Sequence, residues 1–282
     1  MRPYQYVKNI FIFAPLLFSF SFYDTNKTII TFMVFVLFSI LASSVYILND
    51  LMDVEEDKAH PTKKNRPIAS GEVSVKTAKV LFVALASLSL ASSLVLSQEL
   101  FYVLLSYFIL NILYSLKLKH ISIVDIFIIA TGFVLRLFAG SVATDIPLSM
   151  WIIIITFLLA IFLALAKRRD DVLLSLQGQE TRKNIDGYNL EFVNATMTLM
   201  SGVVVVSYIL YTVSAEVIDR VHTHYLFLTA FFVILGIFRY MQITFVEEKS
   251  GSPSKIVVKD RFIQITLLLW VASFIIIVKL AQ

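Results

Sequence analysis

Apolar stretches of about twenty residues, almost free of charge, recur from one end of this chain to the other. Roughly twenty such residues are what an α-helix needs to cross the hydrocarbon layer of a bilayer. Within that layer only helices and closed barrels satisfy their own backbone. These runs are too long for barrel strands and lack the in–out alternation a membrane barrel shows. The sequence predicts nine spans, at 9–23, 28–51, 74–96, 99–117, 121–141, 147–168, 191–214, 223–245 and 261–280. The first is short for a full crossing, and the hairpin between the third and fourth is tight. Composition agrees, since 58% of the 282 residues are hydrophobic and only 16% are charged, against about 25% charged in a soluble domain. The expected fold is all-α: a polytopic membrane protein with nine transmembrane helices in a bundle, forming a single domain over 1–282.

Charge sorts the connections into two sets. One holds Arg2, Lys8, Lys58, Lys63, Lys64, Arg66, Lys76, Lys79, Lys117, Lys119, Lys167, Arg168, Arg169, Arg182, Lys183, Arg239, Lys249, Lys255, Lys259 and Arg261, while the other holds only Lys27, Arg220 and Lys279. The positive-inside rule puts the first set, with the N-terminus, in the cytoplasm and leaves the C-terminus outside. The expected location is the plasma (inner) membrane. No small-residue cleavage pattern follows 10–22, so the first apolar stretch reads as a retained helix and not as a signal peptide. The long connections, 52–73, 169–190 and 246–260, are on the cytoplasmic side. Loops on a rigid scaffold usually carry function, which makes that face the working one. Loops 52–73 and 169–190 occupy similar places along the chain, a hint of internal duplication. There is no cysteine, which excludes disulfides, thiolate metal sites and a Cys nucleophile. A net charge of +4 is small for a nucleic-acid binder, and no nucleic-acid partner is expected. Membrane lipids are the expected surroundings, and a homo-oligomer is compatible with the sequence.

The most informative segment is Asn49-Asp50-Leu51-Met52-Asp53-Val54-Glu55-Glu56-Asp57, where the second span meets the cytoplasm. On a continuing helix Asn49, Asp53 and Asp57 share one face, with Asp50 at its border. Stacked like charges repel unless a cation lies between them. Hard oxygen ligands suit Mg²⁺, which takes one or two carboxylates and completes its shell with water and phosphate oxygens. A solvated acidic helix end is the other reading, and Glu55 and Glu56 show how common acids are here. The next stretch, His60 to Gly71, carries Lys63, Lys64 and Arg66 between two prolines and a glycine, so it forms a shaped turn. Carboxylates that hold Mg²⁺ beside cations are what a diphosphate requires, although a basic loop is also an ordinary topological signal.

Further candidates follow. Lys167-Arg168-Arg169-Asp170-Asp171 ends the sixth span and can hold phosphate and a second metal, or serve only as a topological cluster with local ion pairs. Tyr114-Ser115-Leu116-Lys117-Leu118-Lys119-His120 ends the fourth. Asp125 enters the fifth span and Arg136 lies deeper in it. Ionisable groups inside a span are costly and face a partner or a polar cavity, and eleven residues separate these two by about 16 Å, too far for a direct pair. Lys8 is a further cation at the cytoplasmic depth. The histidines His60, His120, His222 and His224 form no metal pattern.

Asn49-Asp50-x-x-Asp53-x-x-x-Asp57, followed by Arg66-Pro67-Ile68-Ala69-Ser70-Gly71, resembles the first signature of the UbiA superfamily of intramembrane prenyltransferases. The resemblance extends over essentially the whole chain. The second D-x-x-x-D motif usual in the aromatic prenyltransferases is missing, because Leu174 stands four places after Asp170 and Ser175 four after Asp171. The stretches Tyr6-Val7-Lys8-Asn9, His60-Pro61-Thr62-Lys63, Tyr114-Ser115-x-x-Leu118-Lys119-His120, Gly132-Phe133-x-x-Arg136-x-x-Ala139-Gly140 and Lys167-Arg168 are similar instead to the branch that transfers phosphoribosyl groups to lipids.

That resemblance implies a bundle around a central cavity open to the cytoplasm. It also implies transfer of 5-phosphoribosyl from phosphoribosyl diphosphate (PRPP) to a polyprenyl phosphate of the decaprenyl type, in making precursors of cell-envelope glycans. Asn49, Asp53 and Asp57 would hold Mg²⁺, with catalytic carboxylates at Asp50, Asp53 and Asp57. Lys8, Lys63, Lys64, Arg66, Tyr114, Lys119, Arg136, Lys167, Arg168 and Arg169 would bind substrate, the last three taking either PRPP or the lipid phosphate. A prenyl transfer to an aromatic acceptor is the alternative expectation. A transporter is a third, but the charge gathers at one face rather than along a broken-helix path.

Overall fold

A computed structural model of the chain describes residues 3–59, 63–178, 183–249 and 251–281. Among them are twelve α-helices, several short 3₁₀ turns and no strand. The expected positions His60, Pro61, Thr62 and Arg182, and the side chains of Lys63 and Lys183, lie outside the described residues. The chain groups into two compact units, Met1–Leu148 and Ser149–Gln282.

The first unit opens with an eleven-residue 3₁₀ segment, Pro3–Phe13, that passes into α1, Ala14–Phe18. Pro15 near the start of α1 lacks the N–H that an extended helix would need. A 3₁₀ helix rises about 2.0 Å per residue against 1.5 Å for α, so this short stretch reaches roughly 30 Å. Then come α2 (Thr25–Met52), α3 (Val54–Ala59), α4 (Val75–Leu96), α5 (Gln98–Leu116) and α6 (Val124–Thr144). Caps fix their starts: Asp24 accepts from the N–H of Lys27, Ser74 from that of Thr77, and Ser97 from that of Leu100. Thr31, Val34, Phe38, Leu41, Ala42 and Val45 of α2 recur at helical spacing and are buried. The apolar ones among them pack with Ile12, Leu100, Leu104, Tyr107 and Ala139 in one core. The buried face of α4 is small, with Ala78, Ala86, Ser89 and Ser93. Small residues let membrane helices approach closely, and Ser89 Oγ donates to the carbonyl of Leu37 at 2.8 Å.

The second unit holds α7 (Met150–Leu176), α8 (Leu190–Val213), α9 (Ala215–Val221), α10 (Ala230–Phe245), α11 (Pro253–Lys259) and α12 (Arg261–Ala281). Tyr208 of α8 joins Thr229 Oγ1 at 2.8 Å and accepts from Trp270 Nε1 of α12 at 2.7 Å. These bonds satisfy buried polar atoms that lipid could not.

Eight helices are long and apolar enough to cross a membrane, among the described residues, and the first apolar segment, Gln5–Phe18, is shorter. Exposed leucines, valines and phenylalanines such as Val80, Leu88, Phe231 and Leu268 cover their outer faces, as expected where lipid is the solvent. The chain is a multi-pass membrane protein. One expectation needs correction: the helix of the sixth span does not stop at 168 but continues to Leu176, with Arg168 and Asp171 paired one turn apart within it. The connection between α8 and α10 contains the short helix α9, which carries the Arg220–Glu216 pair at 2.6 Å.

Candidate functional site

The acidic segment straddles a break. The helix α2 ends at Met52, and Asp53 caps it with its N–H on the carbonyl of Asn49 at 3.0 Å. The N–H of Asp57 then bonds the carbonyl of Asp53 at 2.8 Å as α3 begins. Asp50, Asp53 and Asp57 therefore stay on consecutive turns. Their side chains meet cations from two other parts of the unit. Arg66 Nη1 lies 3.1 Å from Asp50 Oδ1 and 2.6 Å from Asp57 Oδ2. Lys119 Nζ lies 2.5 Å from Asp53 Oδ1. Asp57 is only 2% exposed, and a carboxylate so buried is retained only with a charged or hydrogen-bonding partner. Glu55 and Glu56 differ: both are exposed, and the Glu55–Lys58 contact is a surface pair of little energetic weight.

Arg66 is held by a knot in the following turn. The N–H of Ser70 bonds its carbonyl at 2.8 Å, the N–H of Val73 bonds that of Pro67 at 2.8 Å, and Gly71 takes φ +84°, a conformation that favours glycine. Lys64 points to solvent. Lys119 comes from the short 3₁₀ turn Leu118–His120 after α5. Beyond it Ile123 adopts φ 70° and ψ −51°, with the N–H of Val124 on the carbonyl of Ser122 at 2.8 Å. This is a γ-turn of the strained hand on a β-branched residue, a conformation that persists only where its surroundings enforce it. Tyr114 is half-buried at the end of α5. The neighbouring Ser115 Oγ sits 2.6 Å from Asn49 Oδ1 and 2.7 Å from the carbonyl of Asn111.

One guanidinium nitrogen within hydrogen-bonding distance of both Asp50 and Asp57 shows that their oxygens converge on a point of positive charge. Among the described residues, no three acidic or histidine side chains come close enough to form a protein-only metal cage. This donor set fits Mg²⁺, which typically uses one or two carboxylates and fills its remaining positions with water and phosphate. It does not fit a metal that demands four protein ligands.

Arg136 is 4% exposed and its guanidinium is enclosed: Nε donates to Asn9 Oδ1 at 2.8 Å, Nη1 to the carbonyl of Gly132 at 2.6 Å, and Nη2 to Tyr107 Oη at 3.3 Å. The rings of Phe38 and Tyr107 lie 4.9 and 5.0 Å from its central carbon. Asn9 Nδ2 in turn donates to Ser39 Oγ at 2.9 Å, and Tyr6 Oη lies 2.8 Å from Ser43 Oγ. Arg136, placed by the sequence among the substrate-binding residues, thus clamps the first segment onto α2 and α6. The half-buried Lys8 rides on that clamped segment between Tyr6 and Asn9.

In the second unit, the basic run lies on the last turns of α7. Lys167 is half-buried. Arg168 is fully buried and pairs with Asp171. Arg169 Nε donates to Asn194 Oδ1 at 3.0 Å and Nη1 to the carbonyl of Thr244 at 2.7 Å, with the ring of Phe245 at 5.1 Å. The backbone at Gly251 presses on Asp170, where a Cβ would meet Oδ2 at 2.2 Å. Arg169 therefore ties α7 to α8 and α10 within the unit, while Arg168 pairs along α7 itself. Sequence reasoning placed Ser115 in a motif but gave it no role, since a serine in an apolar helix carries no signal of its own.

The model of the UbiA prenyltransferase family matches residues 10–243. The decaprenyl-phosphate phosphoribosyltransferase of Mycolicibacterium smegmatis is 33% identical over 286 residues, covering 97% of this chain and 89% of that protein. The enzyme of the same name from Corynebacterium glutamicum is 33% identical over 278 residues, covering 96% and 83%. Among solved structures, a UbiA homolog from Archaeoglobus fulgidus bound to DMAPP and Mg²⁺ superposes with a TM-score of 0.71 at 19% identity, covering 99% of this chain and 97% of that one, which shows a shared fold.

Proposed function

Since this chain belongs to the UbiA prenyltransferase family, we propose that it transfers 5-phosphoribosyl from PRPP to a polyprenyl phosphate of the decaprenyl type, releasing diphosphate, as a step towards cell-envelope glycan precursors. One observation carries the reading: the identity with decaprenyl-phosphate phosphoribosyltransferase spans 97% of the chain. The missing second D-x-x-x-D at the end of α7 speaks against the prenyl-transfer alternative.

In the reaction the C1–O bond of PRPP breaks, diphosphate leaves, and an oxygen of the lipid phosphate bonds to C1. That nucleophile is already ionised at neutral pH, so no strong general base is required. Asn49, Asp53 and Asp57 would hold Mg²⁺, with Asp50 in support. When bound, the ion would neutralise the departing diphosphate. Arg66 and Lys119 stand beside the carboxylates and bind diphosphate oxygens, joined by Lys63 and Lys64 from the same turn. The carboxylate of Asp50 stabilises positive charge developing on the sugar. Lys8 and Tyr114 would contact substrate, and Lys167, Arg168 and Arg169 would serve the phosphate of PRPP or of the lipid. The N-terminus and the long basic connections would lie in the cytoplasm.

The test uses purified protein in detergent with Mg²⁺, ribose-labelled PRPP and a polyprenyl monophosphate. Label should enter the lipid phase, and Asp53→Ala should abolish it. A preparation that leaves the lipid unlabelled but consumes a prenyl diphosphate would overturn the proposal in favour of prenyl transfer.

A further inference from the structure

Ser115 is 1% exposed and its single hydroxyl proton faces two oxygens, the carbonyl of Asn111 at 2.7 Å and Asn49 Oδ1 at 2.6 Å. One proton satisfies one of them. The Asn111 carbonyl is one turn back in the same rigid helix, the usual recipient of a helical serine proton. Towards Asn49, Ser115 then offers a lone pair. The two ends of an amide have the same shape, and hydrogen bonding decides which faces where. With the Ser115 proton on Asn111, the Asn49 amide is better satisfied with its ends exchanged from the placement that puts Oδ1 on Ser115, so that Nδ2–H donates to Ser115 and Oδ1 turns to the opposite side as an oxygen ligand. Without that bond either end of the amide can face the carboxylates, and no oxygen is held ready for a cation.

We propose that Ser115 is a positioning residue that sets the orientation of the Asn49 amide and so completes the metal site. This rests on the reading of Asn49, Asp53 and Asp57 as metal ligands. Hydrogen-bond partners of ligands commonly change metal affinity by about 10–100-fold. Asn49→Asp supplies a check internal to the idea, because a carboxylate has an oxygen on either side and needs no such orientation.

The experiment titrates Mn²⁺ into the full chain in detergent and reads free Mn²⁺ by electron paramagnetic resonance, with and without inorganic diphosphate. Ser115→Ala should weaken Mn²⁺ binding on the order of tenfold, and Ser115→Thr, which keeps the hydroxyl, should restore it to within about twofold. In an Asn49→Asp background, Ser115→Ala should change the affinity by less than about twofold. If Ser115→Ala fails to fold, Ser115→Cys, of similar shape but with a weak acceptor, should show the same loss. Unchanged binding in Ser115→Ala, or an equal loss in the Asn49→Asp background, overturns the proposal. Failure of the native chain to bind Mn²⁺ even with diphosphate overturns the metal reading itself and this proposal with it.

Discussion

Replacing Gly140 with alanine tests how the first segment is held. A Cβ at Gly140 would lie 2.0 Å from the carbonyl oxygen of Ile12 and 3.0 Å from its carbonyl carbon. An ordinary carbon–oxygen contact is about 3.3 Å or more, so the 3₁₀ segment must retreat by about 1 Å, backbone against backbone. Asn9 is one turn earlier on that segment, and its bonds to Arg136 and Ser39, at 2.8 and 2.9 Å, do not survive such a shift. Overpacking costs about 1–3 kcal/mol and a lost bond to a buried charge about 1.5–3 kcal/mol, offset by about 1 kcal/mol of helix propensity gained over glycine. The net is roughly 1.5–5 kcal/mol. At about 2–4 °C per kcal/mol for a chain of this size, the melting temperature in detergent, followed by scanning fluorimetry, should fall by roughly 3–20 °C. Gly202→Ala is the control, since a Cβ there meets nothing within 4 Å and should leave the melting temperature unchanged or slightly raised. A Gly140→Ala protein that melts with the native chain would refute the clamp.

Arg66→Gln removes the charge that bridges Asp50 and Asp57, so KM for PRPP should rise at least about tenfold. An unaltered KM in steady-state assays would take Arg66 out of the donor site. Chelation with EDTA should stop turnover and added Mg²⁺ should restore it, whereas Asp57→Ala should stay inactive at any Mg²⁺ concentration that restores the native chain. The hydrogen bond from Arg239 Nη2, 2.8 Å from Asp260 Oδ2, holds the Asp260 carboxyl below the usual carboxylate range. A lowered acid contributes stability above its unfolded value of about 3.9 and loses it as pH falls towards the folded one. Asp260→Asn should therefore melt below the native chain at pH 7 and converge with it as the pH falls below about 4; a gap that persists in acid would show that the bond's charge is not its source.

The long helices were legible because apolar length alone marks them: 74–96 and 191–214 differ from Val75–Leu96 and Leu190–Val213 by no more than one residue at any end. The first segment was not, because hydropathy does not distinguish a 3₁₀ rise from an α rise. The end of α7 was misplaced for a related reason. A run of charge looks like a loop until Arg168 and Asp171 are seen to satisfy each other one turn apart. At the site, spacing alone sets Asn49, Asp53 and Asp57 on one face of a continuing helix, but the helix breaks at Asp53, and which cation meets which acid depends on Lys119, sixty-six residues beyond Asp53, and no local pattern encodes that. The glycines at 132 and 140 entered through a family motif. The physical reason for Gly140 is visible only in three dimensions, where a side chain would strike the backbone of Ile12, whereas a Cβ at Gly132 would make only ordinary contact with Arg136.

Ser97 ends α4, with its N–H on the carbonyl of Ser93, and at the same time caps α5. A one-residue bend leaves no slack between the two helices, so during synthesis neither can enter the bilayer before, or in a different orientation from, the other. They insert as a single hairpin. Lys76 and Lys79 in the first turns of α4 and Lys117 and Lys119 behind α5 would then act as one retention signal at the hairpin's open end, fixing in the act of insertion the side of the membrane on which Lys119 finds Asp53.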